Sequence, residues 1–146
     1  MADLRIEIER NASAETRHCI IRGLVTFNEA RSGDASHQEL TVVARADGEI
    51  VGGLLAYTHW EWLFITQLWV AEAAGGHGVG TRLLRTAESE AVLRGCRHAH
   101  VDTFSFQARP FYERRGYTVF AELADYPAGH TRYFLQKRDL SPSCDA

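Results

Sequence analysis

Residues 75–81 read Gly75-Gly76-His77-Gly78-Val79-Gly80-Thr81 and separate an apolar, β-branched run from a helix-patterned one. Glycine lets the backbone turn tightly and aim successive N–H groups outward, and a following helix adds the positive end of its dipole. Such a loop suits an anion, phosphate above all; an unliganded Gly-rich turn is the plain alternative. Spacing narrows the phosphate ligands. Gly75 and Gly80 stand as in a G-x-x-x-x-G-K nucleotide loop, but Thr81 occupies the lysine position. A dinucleotide G-x-G-x-x-G fingerprint begun at Gly76 or Gly78 meets Thr81 or Leu83 where its third glycine belongs. Cys96, His98 and His100 share one strand face, a conceivable metal set without a fourth ligand, so no metal is expected.

Elements must position these residues. Apolar and charged residues alternate over 4–9, which predicts a half-buried strand. Asn11 or Ser13 can cap a helix that carries Ile20, Ile21, Leu24, Val25 and Phe27 on one broad face. Strands over 40–46 and 50–58 join at Asp47-Gly48, and a third, over 62–70, follows the bend at His59-Trp60-Glu61. Val79, Leu83, Leu84, Ala87 and Ala91 have helical spacing, and Gly95 is a natural stop. A strand over 98–104, a short helix over 107–115 and strands over 117–123 and 131–137 complete the order β-α-β-β-β-α-β-α-β-β. This order predicts an α/β mixed sheet with a right-handed parallel crossover between residues 62 and 104.

The 146 residues suit one domain over 1–140 with a polar tail over 141–146, and 45% hydrophobic and 24% charged side chains argue against disorder. Sixteen basic against nineteen acidic residues give a charge of −3, without the basic excess that nucleic acid demands. No apolar run approaches the roughly 20 residues of a membrane span. Charges at Asp3 and Arg5 stand where a signal peptide would be apolar, so a cytoplasmic protein is expected. Three cysteines, Cys19, Cys96 and Cys144, form no disulfide framework, and Cys19 is expected to face the core.

Two motifs carry a resemblance. Leu68-Trp69-Val70 leads into Gly75-x-x-Gly78-Val79-Gly80 and then Leu83-Leu84. A helix and a strand later comes Phe111-Tyr112-Glu113-Arg114-Arg115-Gly116-Tyr117, with Ala108 before it. In this order and spacing the chain resembles the GNAT superfamily of acetyl-CoA-dependent N-acetyltransferases over nearly its whole length. Residues 102–108 and the Pro127-x-Gly129-His130 loop are similar to a small bacterial single-domain subgroup. Two departures stand out: Gly75 occupies a position usually held by Gln or Arg, and Ser105 one often held by Asn.

The resemblance implies a mostly antiparallel twisted sheet with one parallel, splayed strand pair and helices on both faces. It implies acetyl-CoA as co-substrate, its pantetheine paired with the backbone of Leu68, Trp69 and Val70 and reached by Ser105. The phosphates would lie on Gly75, Gly76, His77, Gly78, Val79, Gly80 and Thr81. Tyr112, otherwise readable as a packed ring, becomes the general acid that protonates the departing thiolate. Candidate bases are Glu61, His59 and Asp102, while Thr66 and Gln67 could position a water. Trp60, Trp62, Tyr126 and His130 would wall the acceptor site. The expected activity is direct acetyl transfer to a primary amine of a small molecule, without an acyl-enzyme. The alternatives are a non-catalytic acyl-CoA-binding or regulatory module and a protein or peptide amine acetyltransferase. A homodimer is expected by analogy.

Overall fold

The computed structural model describes residues 2–141; Cys144 and the tail over 142–146 lie outside the described residues. The chain falls into two compact units, Met1–Ala35 and Ser36–Ala146. The first holds helix α1 (Ala14–Ser32), begun by Ser13, whose hydroxyl accepts from the Thr16 N–H at 3.1 Å. Gly33, at φ 76°, closes it with an N–H donated to the Glu29 carbonyl. No strand forms over residues 4–9, contrary to the alternating pattern. A strand exists only against a neighbour's ladder, and this unit contains no other strand. Cys19, expected in the core, is exposed on α1.

The second unit is built on a six-stranded sheet in the order β1-β2-β3-β4-β6-β5. Its strands are β1 (Gln38–Ala46), β2 (Glu49–His59), β3 (Trp62–Val70), β4 (His98–Phe104), β5 (Thr118–Ala124) and β6 (Thr131–Arg138). Asp47 and Gly48, at φ 51° and 82°, make the two-residue hairpin turn foreseen between β1 and β2. Every neighbouring pair is antiparallel except β3–β4, whose crossover contains a single 3-10 turn (Glu72–Ala74) and helix α2 (Val79–Leu93). A shorter helix, α3 (Arg109–Glu113), connects β4 to β5.

One face of the sheet carries the core. Leu40, Leu54, Ala56, Leu63, Ile65, Ala99, Val101 and Leu135 pack with Leu83, Leu84, Ala87 and Ala91 of α2 and with Tyr112 and Tyr117. The helix residues are those whose spacing predicted an inward stripe. Arg94 pins the end of α2 to the sheet, donating from Nη1 to the Gln38 and Glu39 carbonyls at 3.3 and 3.1 Å and to Thr58 Oγ1 at 3.1 Å. α2 meets α3 so closely that a Cβ on Gly80 would lie 3.3 Å from the Phe111 ring. Among the described residues no helix is long and apolar enough to cross a membrane.

Leu84 is fully buried in this core. Leu84→Ala should lower unfolding free energy by about 3 kcal/mol, since a large-to-small core change loses transfer energy and leaves a cavity. Chemical denaturation measures this directly.

Candidate functional site

β3 and β4 pair over a short stretch, Trp62 to Ile65 against His98 to Val101. Beyond it, Leu68, Trp69 and Val70 keep β2 as partner, and Asp102, Thr103 and Phe104 keep β6. The strands part because β3 contains an extra residue: Leu55 faces Gln67 and Ala56 faces Ile65, leaving Thr66 without a β2 partner. Thr66 Oγ1 anchors this bulge by donating to the Leu55 carbonyl at 3.0 Å. The parted strands leave backbone N–H and C=O groups of β3 facing an opening without a ladder partner on that side.

A cavity of about 920 Å³ fills the opening. Leu68, Trp69 and Val70 form one wall and Asp102, Thr103 and Phe104 the other, with Ala108, Phe111 and Tyr112 across its floor. Gly75, Gly76, Gly78, Val79, Gly80 and Thr81 line its mouth. Gly78, at φ 72° and ψ 16°, is the N-cap of α2 and has no side chain with which to cap its first N–H groups. Those donors, at the positive end of a fifteen-residue helix, are left for an anion. His77 is exposed and does not line the cavity.

Tyr112 is 4% exposed, its ring edge-on to Phe111 and Tyr117 at 5.1 and 5.7 Å. Its hydroxyl makes no hydrogen bond among the described residues, yet none of their buried side-chain polar atoms lacks a partner. The hydroxyl is therefore open to the cavity that the residue lines. Burial, reinforced by the charge of Asp102, pushes its pKa up to about 12. A phenol in this setting keeps its proton throughout the neutral range.

Asp102 lines the cavity and is ion-paired: its Oδ1 accepts from Arg132 Nη2 at 2.7 Å and Nε at 3.0 Å. Arg132 Nη1 donates to the Tyr126 hydroxyl at 3.0 Å, linking the β5–β6 loop to the site. Sequence reading missed Arg132, because its neighbour on β4 is set by sheet register, which no local pattern reveals. It also missed Gln107, whose Oε1 accepts from Thr103 Oγ1 at 3.2 Å and from the Phe104 N–H at 3.0 Å, fixing the end of β4.

Other expected residues lie elsewhere. Trp60 and Glu61, at φ 45° and 64°, form the β2–β3 turn with His59 and Trp62 at its shoulders. That turn is at the opposite end of β3 from the opening, and none of the four lines the cavity. The Glu61 carbonyl accepts from the Arg97 N–H at 2.8 Å, a structural tie. Burial, with His37 nearby, lowers the pKa of His59. Ser105 also turns from the cavity: its hydroxyl accepts from the Thr131 N–H and bonds His130 Nδ1, both at 3.1 Å. Tyr126 and His130 are outside the lining, Tyr126 reaching it through Arg132. His98 Nδ1 accepts from the Asp139 N–H and His100 stacks on Phe64 at 4.3 Å. Among the described residues no three His, Cys, Asp or Glu side chains are grouped as a metal would require.

A mixed sheet opened between its parallel strands, with a glycine loop at the mouth and a phenol inside, fits an acetyltransferase. The chain belongs to the acetyltransferase (GNAT) family, whose profile matches residues 7–117. It is 38% identical over 128 residues to an acetyltransferase of Agrobacterium fabrum, spanning 87% of this chain and 93% of that protein. It is 44% identical over 91 residues to the blasticidin-S acetyltransferase of Streptomyces morookaense, spanning 62% of this chain and 67% of that one. A crystal structure from Agrobacterium tumefaciens, described as an acetyltransferase, superposes with a TM-score of 0.86 at 35% identity. That match covers 92% of this chain and 99% of the other.

Asp102→Asn should lower the phenolic pKa of Tyr112 from about 12, because the neighbouring anion no longer opposes ionisation, while burial keeps it above 10. Ultraviolet titration of tyrosinate, with Tyr112→Phe in the same background to assign the transition, reads the change.

Proposed function

We propose that the protein transfers an acetyl group from acetyl-CoA directly to a primary amine of a small molecule. The observation that carries this reading is the Tyr112 hydroxyl, protonated and open to the gap between β3 and β4. The cavity fits the co-substrate. Backbone donors over Gly76 to Gly80 suit its phosphates, and the free edge of β3 at Leu68, Trp69 and Val70 suits an extended pantetheine arm. Bound acetyl-CoA supplies an activated thioester.

The residues then divide the work. A β3 backbone N–H at the opening stands ready for a carbonyl oxygen that gains negative charge. Tyr112 holds at its oxygen the proton that a departing thiolate takes. Asp102 is the one candidate base that lines the cavity; Oδ1 is committed to Arg132, and Oδ2 receives the acceptor ammonium and orients it. Water carries one of the ammonium's protons away, and the second, shed as the amide forms, returns to the Tyr112 oxygen. Among the described residues no cysteine lines the cavity, in keeping with direct attack by the amine. Likeness to the blasticidin-S enzyme supports a small-molecule acceptor over a peptide.

Acetyl-CoA binding to the wild type, followed by thiol release across an amine library, tests the reading. Tyr112→Phe should lower kcat roughly 100-fold with unchanged affinity for coenzyme A. Unchanged turnover removes Tyr112 from the chemistry. Because the proton leaves Tyr112 only as pH rises through about 12, its loss should cause no decline in kcat near pH 10. A wild-type alkaline limb near 10 that vanishes in Tyr112→Phe contradicts the assigned environment.

A further inference from the structure

The glycine loop contains no lysine or arginine between Gly75 and Gly80, so an anion laid on it meets partial charges of N–H dipoles alone. Full positive charge reaches the same cavity from α3 and the residues that close it. Arg114 and Arg115 both line the cavity, as does Arg132, whose charge is already spent on Asp102.

Arg115 is held unusually firmly. Its Nε donates to Thr81 Oγ1 at 2.9 Å and its Nη2 donates to the same oxygen. Its Nη1 donates to the Phe111 carbonyl at 2.8 Å, and the guanidinium lies 3.9 Å over the Phe111 ring centroid. Thr81 belongs to the first turn of α2, so the cation is fastened beside the N–H groups of the loop. These contacts orient the guanidinium without neutralising it.

The charge balance around it is one-sided. Arg94, Arg109, Arg132 and Lys137 each have a carboxylate partner, respectively Glu90, Glu113, Asp102 and Glu88. Among the described residues neither Arg114 nor Arg115 has one. Burial first, and then its charged neighbours Arg114 and Arg85, lower the pKa of Arg115. A guanidinium oriented in advance, unpaired, with cationic neighbours and spare N–H donors, is built to receive an anion with little further loss of conformational freedom.

We propose that Arg115, with Arg114 beside it, binds a phosphate group of coenzyme A at the mouth of the cavity, and that Thr81 is the residue that positions it. The proposal rests on the coenzyme reading above. The coenzyme offers this chemistry in two places, its diphosphate and its 3′-phosphate.

Calorimetric titration of wild type, Arg115→Met and Thr81→Val with coenzyme A, dephospho-coenzyme A and S-acetylpantetheine separates the outcomes. Arg115→Met should weaken coenzyme A binding about ten- to hundredfold, the usual range for a charged hydrogen-bonding group. Thr81→Val should weaken it less, and S-acetylpantetheine, which has no phosphate, should bind all three proteins alike. A penalty that disappears with dephospho-coenzyme A places Arg115 on the 3′-phosphate; one that persists places it on the diphosphate. Thermal unfolding of the free proteins tracks the structural cost of each change. If Arg115→Met does not fold, Arg115→Lys keeps the charge and loses the fork, and a severalfold loss confined to the phosphate-bearing ligands is then expected. Coenzyme A affinity within twofold of wild type in the folded Arg115 variant overturns the proposal. So does an equal loss for S-acetylpantetheine, which makes Arg115 a staple between α3 and α2. Failure of the wild type to bind coenzyme A overturns the underlying reading, and the proposal with it.

Discussion

The parallel hydrogen-bonded ladder between β3 and β4 ends at Ile65 and Val101, and the rest of the site follows from that interruption. A continuous ladder would consume the edge groups of Leu68 to Val70 and close the cavity. The cause is local: one surplus residue, Thr66, turns β3 away from its parallel neighbour, and its hydroxyl fixes the turn on Leu55. Each strand keeps an antiparallel partner on its outer side, so the sheet stays whole around the gap. The core on one face, from Leu54 through Ile65 to Leu135, spans both halves and sets the width of the opening.

Helix α2 connects this core to the chemistry. Its inward residues hold it against β1, β2 and β3, which aims its N-terminus at the mouth of the opening. Glycine at 80 permits the approach of Phe111, and that approach brings α3, and Tyr112 with it, over the gap. Position and reactivity thus share one origin. The packing that places the phenol is also the desolvation that keeps it protonated.

Much of this was legible from local pattern. The α2 stripe, the Asp47-Gly48 hairpin, the Ser13 cap and the glycine loop each depend on residues close in sequence, and each stands where its chemistry predicted. What failed depended on partners. Alternation over residues 4–9 describes the capacity of a strand, and no strand in its unit pairs with it. Glu61, Trp60 and Trp62 are adjacent in sequence to the strand that lines the cavity, yet adjacency does not say which end of that strand opens. The Asp102–Arg132 pair depends on β4–β6 register, and the bulge at Thr66 carries no glycine or proline to announce it.

The unbonded hydroxyl of Tyr112 separates the fate of the fold from the fate of the proposed acid step. The ring belongs to the core, but its oxygen makes no hydrogen bond among the described residues. A descendant that exchanged tyrosine for phenylalanine would keep the packing, the cavity and the glycine loop. Selection for folding alone would not notice the difference. With Tyr112 as the acid proposed above, catalysts and mere binders in such a lineage diverge by one oxygen atom while remaining superimposable.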